Sequence, residues 1–252
     1  MADDTILETR QLTKEFKGFV AVKGVDLRIR RGTIHALIGP NGAGKTTFIN
    51  LLTGFYAPTA GNVFLGEERV THLPQHQRVK RGMTRTFQIN TLFPGLTVLE
   101  SVVLAVCERK GVAANWRNTV AHRHEEIEEA AEILNTLHLE RDADTATRNL
   151  PYGKQRLVEI ALALATGPRI LLLDEPAAGI PSAESAELFG VLARLPRDVT
   201  ILFIEHDMEL VMRFAERITV LVSGRVLLEG TPAEIASDRR VKEVYLGEAQ
   251  LG

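Results

Sequence analysis

The stretch that most constrains this chain is Gly39-Pro40-Asn41-Gly42-Ala43-Gly44-Lys45-Thr46-Thr47, which follows the apolar run Ile34 to Ile38 and leads into Phe48-Ile49-Asn50-Leu51-Leu52. The order reads strand, glycine loop, helix. Glycines let successive backbone N–H groups turn inward around a polyphosphate, and a helix beginning near Lys45 offers its positive dipole end to the same charge. Lys45 then reaches the β- and γ-phosphates, and the Thr46 hydroxyl ligates Mg²⁺. The plain alternative is a glycine-rich turn that happens to contain a lysine. The strand-to-helix context argues against it.

Bulk properties exclude several classes of function. A chain of 252 residues can bury a full core, as one large domain or one domain with an inserted subdomain. Lys+Arg 30 against Asp+Glu 32 gives a net charge of −2, with a pI near 6.4, so sequence-independent nucleic-acid binding is not indicated. Apolar runs such as Ile160 to Ala165 fall far short of the roughly 20 residues that span a bilayer. The start, Met1-Ala2-Asp3-Asp4, lacks the charged and apolar regions of a signal peptide, and Cys107 alone cannot form an intrachain disulfide. A cytosolic location is expected, with Cys107 a small core residue on an apolar helix.

Along the chain, Val25, Leu27 and Ile29 alternate with Asp26, Arg28 and Arg30, the period-two pattern of a strand with one wet face. Antiparallel pairing is expected of it. Phe16 precedes this segment, and an aromatic face near a nucleotide could stack on a base; a core phenylalanine at a strand end is the competing reading. After the glycine-loop helix, Asn62 to Leu65 reads as a short strand and Pro74 to Arg81 as polar and basic. At Gln88 the chain changes character. Leu92-Phe93-Pro94-Gly95-Leu96 places bulky apolar groups in a turn, and Thr97-Val98-Leu99-Glu100 is a capping box opening a helix through about Val106. Ile127, Ala130, Ala131, Leu134 and Leu137 recur at helical spacing. Residues 89–150 therefore look like a helical insert within an α/β domain. His122 and His124 stand two apart, which on a helix does not put them on one face, so a solvated surface is expected there rather than a metal site.

Leu150-Pro151-Tyr152-Gly153-Lys154-Gln155 precedes an expected helix from Arg156 to Ala165. Ile170 to Leu173 is a continuous apolar run, as in a parallel strand buried on both faces, and it ends in Asp174-Glu175. Carboxylates at that edge sit where open parallel sheets bind ligands. Asp174 can hold a magnesium water shell and Glu175 can polarise an attacking water. Thr200 to Ile204 is a second buried strand, ending in Glu205-His206-Asp207. His206 there shares the edge with Glu175 and can donate a hydrogen bond to a γ-phosphate. Ser223-Gly224 marks a hairpin, and Thr231-Pro232-Ala233-Glu234 a capped helix start.

Taken in order, Phe16, GPNGAGKTT at 39–47, TFQ at 86–88, LPYGKQ at 150–155, ILLLDEP at 170–176 and IEHD at 204–207 resemble the ATP-binding cassette ATPases over the whole chain. TRTFQ, LPYGKQR, LLLDEPAAGI, IEHDM and the closing VYLGEA are similar to the high-affinity branched-chain amino-acid uptake ATPases of bacteria. The lipopolysaccharide-export ATPases and non-transport scaffold ATPases are the alternatives, the former usually carrying a serine-glycine-glycine signature.

The resemblance implies a P-loop NTPase core of the RecA-like type with an N-terminal antiparallel β-subdomain and an inserted α-helical subdomain. Its expected boundaries are 1–88 and 154–230 for the core, 89–153 for the insert with its signature, and 231–252 for a helical tail. It also implies ATP and Mg²⁺, with Thr46, Gln88 and Asp174 at the metal and Glu175, His206 and Gln88 at the chemistry. Phe16, the loop 39–47, and Tyr152, Gly153 and Lys154 from a second copy's signature would contact nucleotide. Pro151 and Tyr152 stand where serine and glycine are usual, and Pro181 where aspartate is usual. Implied partners are transmembrane permease subunits on the inner face of the cell membrane, a second cassette, more often a different chain than a copy, and indirectly a periplasmic binding protein.

Overall fold

The computed structural model describes residues 4–86, 93–112 and 123–248. The alternating segment forms β2 (Phe19–Arg30), antiparallel to β1 (Thr5–Phe16), with Phe16 opposite Phe19 across a turn in which Lys17 and Gly18 both take positive φ. Such turns match the twist of the strands they join. β4 (Ala60–Leu65) covers the other edge of β1 and pairs with the two-residue β5 (Glu68–Arg69), so this sheet runs β2-β1-β4-β5.

A second sheet holds β3 (Ile34–Ile38), β6 (Met83–Arg85), β7 (Ile170–Asp174), β8 (Thr200–Ile204), β9 (Arg217–Val222) and β10 (Arg225–Gly230) in the order β10-β9-β3-β8-β7-β6. Neighbours are parallel except β9 and β10, the hairpin expected across Ser223-Gly224. Successive side chains enter opposite cores. Ala36, Ile38, Leu171, Leu173, Ile201 and Phe203 face one; Leu37, Ile170, Leu172, Leu202 and Ile204 face the other. Burial on both faces explains why β7 and β8 read as unbroken apolar runs, each large side chain contributing ~2 kcal/mol.

The first core receives α3 (Val98–Arg109), α4 (His124–Thr136), α5 (Tyr152–Ala165) and α6 (Ser182–Leu192), with Cys107 buried on α3 as expected. α3, α4 and α5 pack on one another, inserted between β6 and β7. Thr97 and Glu100 form the expected capping box on α3, as do Thr231 and Glu234 on α8 (Pro232–Ser237), which leads into α9 (Arg239–Glu248). The second core lies between the two sheets and takes Phe48, Leu51 and Leu52 from α1 (Lys45–Thr53). The α/β core, the antiparallel N-terminal sheet and the helical insert are thus the architecture the sequence predicts.

One element differs from expectation. α5 begins at Tyr152 rather than Arg156: Pro151 is its N-cap, extended at φ −56 and ψ 152, and Gly153 and Lys154 belong to its first turn. Turn-forming residue types masked a helix start. The polar stretch after Pro74, to which the sequence assigned no element, is helical as α2 (Gln75–Lys80), and the reason is tertiary. Arg78, 1% exposed, reaches inward and donates to Leu51 O and Leu52 O at the end of α1, and to Thr71 O and Leu73 O. Leu51 O also accepts from Gly54 N–H at 3.3 Å, and Arg78 adds the bonds that complete this helix end.

Candidate active site

β3 delivers the glycine loop at the C-terminal edge of the parallel sheet. Gly39, at φ 153, lies so close to β9 that a Cβ there would stand 2.0 Å from Leu221 O. A Cβ on Gly44, at φ 100, would stand 2.5 Å from Ala21 O, so β2 buttresses the loop from the other side. Backbone bonds complete the frame: Ala43 N–H to Pro40 O at 3.1 Å, Gly224 N–H to Ala43 O at 2.9 Å and Lys23 N–H to Gly224 O at 2.8 Å. Around the position of a Cβ on Gly42, at φ 75, there is open space. The loop is held on its outer side and open on this one.

Lys45, largely buried, donates from Nζ to Gly39 O at 2.6 Å and Pro40 O at 3.0 Å, which folds the ammonium back over the loop. Gly44 is the N-cap of α1 and brings no side-chain acceptor; Thr46 is exposed and Thr47 half-buried in the first turn. A helix start of this kind attracts anions through its backbone N–H groups and its dipole.

Strand register sets the rest in a row. Leu37 of β3 pairs with Ile204 of β8, and Ile204 with Asp174 of β7. At about 5 Å per strand, the residues following the three strands share one edge within ~10 Å. Asp174, buried, accepts through Oδ2 from Arg85 Nη2 at 2.5 Å, and Arg85 Nη1 donates to Asn50 Oδ1 at 2.6 Å. Asp174 Oδ1 is buried with no hydrogen-bond partner among the described residues. A buried carboxylate oxygen without a donor is costly, and a hydrated cation supplies one. No group of three or more His, Cys, Asp or Glu forms a metal cage among the described residues.

Glu175 takes a left-handed backbone, φ 48, with its N–H bonded to Ile204 O at 3.0 Å. Its Oε1 lies 2.8 Å from His206 Nε2, and both side chains reach solvent. Beneath them Glu205 is 5% exposed, accepting from Ala177 N–H at 2.9 Å and from His206 N–H at 3.2 Å. Burial pushes its carboxyl above the usual carboxylate range, against the pull of those two bonds. Asp207 caps α7 (Met208–Phe214) through Glu209 N–H and Leu210 N–H.

The remaining expected residues lie elsewhere. Phe16 is part-exposed, edge-on to Tyr56 at 5.3 Å, with Lys14 Nζ 5.0 Å from its ring centroid; its pair Phe19 is two residues from Ala21, which touches the loop. Tyr152 OH accepts from Arg156 Nη2 at 2.7 Å, and its ring flanks Gly179. Lys154 Nζ pairs with Asp142 at 2.7 Å, and a Cβ on Gly153 would meet Glu184 Oε2. These three are thus engaged by the insert and by residues 179–184. Gln88 and Leu92 lie outside the described residues, as does His122. Arg85, Asn50 and Glu205 escaped the sequence reading. Position at a strand end was the one signal for Arg85 and Glu205, and Asn50 carried none.

Residues 22–178 match the family model of the ABC transporter, and residues 225–250 that of the branched-chain amino acid ATP-binding cassette transporter. The chain is 42% identical to the high-affinity branched-chain amino acid transport ATP-binding protein BraF of Pseudomonas aeruginosa, over 97% of this chain and 98% of that one. It is 41% identical to LivG of Escherichia coli K12, of the same description, with the same coverage. Among solved structures, the ADP conformation of MJ1267, an ATP-binding cassette of an ABC transporter, superposes with a TM-score of 0.84 at 31% identity, over 96% of this chain and 99% of that one. A dimeric structure of MJ0796, a bacterial ABC transporter cassette, gives 0.72 at 30% identity, over 90% and 98%.

Proposed function

This chain belongs to the ABC transporter family, and from that premise we propose that it is the ATP-hydrolysing subunit of an importer of branched-chain amino acids. The observation that carries the chemistry is the single edge on which the glycine loop, Asp174-Glu175 and His206 stand side by side. The full-length similarity to BraF and LivG carries the solute.

The loop 39–47 cradles the phosphates, with Gly39, Gly42 and Gly44 giving the backbone its course, Pro40, Asn41 and Ala43 completing it, and Thr47 in the first helical turn. Lys45 turns from its own loop carbonyls to the β- and γ-phosphates, and Phe16 stacks on the adenine. Thr46, Asp174 and Gln88 would hold Mg²⁺, which would supply neutralisation of phosphate charge. Glu175 orients or deprotonates the attacking water, and His206 releases Glu175 to bond the γ-phosphate. Tyr152, Gly153 and Lys154 of one chain cap nucleotide held by the other in a head-to-tail dimer, Gly153 through its backbone N–H at the start of α5. Closure is favoured only by contacts the γ-phosphate adds, so its loss reopens the dimer.

Permease subunits at the inner face of the membrane, a second and different cassette, and a periplasmic binding protein complete the proposed system. No helix among the described residues is long and apolar enough to cross a membrane, so the permease would carry the path. Exposed Phe93, in the turn before α3, is a candidate contact for it.

Labelled leucine uptake in cells lacking the chain tests this reading. Restoration by the native chain and not by Glu175→Gln is expected. Uptake unchanged by the deletion overturns the branched-chain assignment.

A further inference from the structure

A glutamate at a strand end is ordinarily a solvated acid, yet Glu205 is buried and makes no ion pair among the described residues. Both of its oxygens are used on backbone, and on two different segments. One accepts from Ala177 N–H in the turn after β7, a turn closed by Ala178 N–H on Glu175 O at 3.0 Å. The other accepts from His206 N–H. The same two segments are tied a second time, at the surface, by Glu175 Oε1 and His206 Nε2.

We propose that Glu205 is a positioning residue for ATP hydrolysis, its buried carboxylate locking the Glu175 turn to the end of β8 and so aiming the Glu175 carboxylate. The inference rests on the function proposed above. Glu175 sits at φ 48, a conformation that costs a residue with a Cβ about 1 kcal/mol and persists only where its surroundings hold it. Its own N–H is anchored to Ile204 O, and two residues later Ala177 N–H is anchored to Glu205. When His206 turns toward a γ-phosphate, the surface link opens. The buried link then holds the turn after Glu175 together with the Glu175 N–H bond to Ile204 O. Misplacing such a group by ~1 Å costs on the order of a hundredfold in rate.

Glu205→Gln keeps one acceptor and sets an NH₂ donor against the other N–H. Glu205→Asp keeps the charge but is one methylene short of spanning both segments. Steady-state ATPase assays on the assembled transporter carrying the native or the variant chain are expected to show kcat lower by about tenfold or more with both variants, and KM for ATP within about twofold. A fluorescent ATP analogue should bind all three alike, and that binding with the unfolding midpoint reports the folded fraction. Variants with native kcat, or with kcat reduced only in proportion to the folded fraction, overturn the positioning role. An assembled native transporter without ATPase activity overturns the proposed function itself, a result distinct from either.

Discussion

The strand and the helix on either side of the glycine loop are finished differently at their two ends. Where β3 and α1 meet, at 39–47, the helix has no side-chain cap and the space beside Gly42 is open. At the far ends, buried polar side chains close the structure. His35 Nε2 lies 2.8 Å from Thr219 Oγ1 near the start of β3, and Arg78 satisfies carbonyls at the end of α1. One unit is thus clamped from behind and left unfinished in front. Binding capacity is concentrated where backbone donors face open space, and the rigidity that keeps them in place is supplied a strand's or helix's length away.

Substitutions at the two kinds of end should therefore separate. Lys45→Ala is expected to weaken ATP binding about a thousandfold, or about 4 kcal/mol, by removing several charge-assisted bonds, while the urea midpoint of unfolding hardly moves. Titration with a fluorescent ATP analogue reads the first and far-ultraviolet circular dichroism the second. Arg78→Met should do the reverse, lowering the unfolding free energy by about 3 kcal/mol through the lost hydrogen bonds to buried carbonyls and leaving ATP affinity within about threefold. If Arg78→Met weakened ATP binding as Lys45→Ala does, with stability intact, the contrast between the ends would collapse.

His35 sharpens the comparison through pH. Burial, with the charge of Arg217 a second cause, lowers its imidazole from an ordinary 6.5 to about 4. Between those values the unfolded chain binds a proton that the folded chain does not, so stability present above pH 6.5 declines as pH falls and is lost through about 4. The loss amounts to about 3 kcal/mol at most. Urea midpoints from pH 7 to pH 4 should follow that slope, and His35→Gln should flatten it. The smallest effect belongs to a helix start remote from the loop. Thr97→Ala breaks the capping box of α3 and should cost about 1 kcal/mol in the same assay, with ATP affinity unmoved.

The sequence by itself determined what local chemistry dictates. The glycine loop between strand and helix, the unbroken apolar runs of β7 and β8, the alternation in β2, and the capping boxes at Thr97 and Thr231 are all written within a few residues of where they act. From these the fold class and the row formed by Lys45, Asp174, Glu175 and His206 could be read. Tertiary structure decided how the remaining polar side chains are used. Arg78 bonds a carbonyl 27 positions away, Glu205 an N–H 28 positions away, and His35 a hydroxyl 184 positions away. None of these long-range pairings leaves a periodic trace, because the burial that gives each bond its value comes from packing two sheets and an inserted helical layer together. The helical state of Gln75–Lys80 and the earlier start of α5 follow from the same cause: their residues look like turn and surface until the core they reach into, or pack beside, has formed.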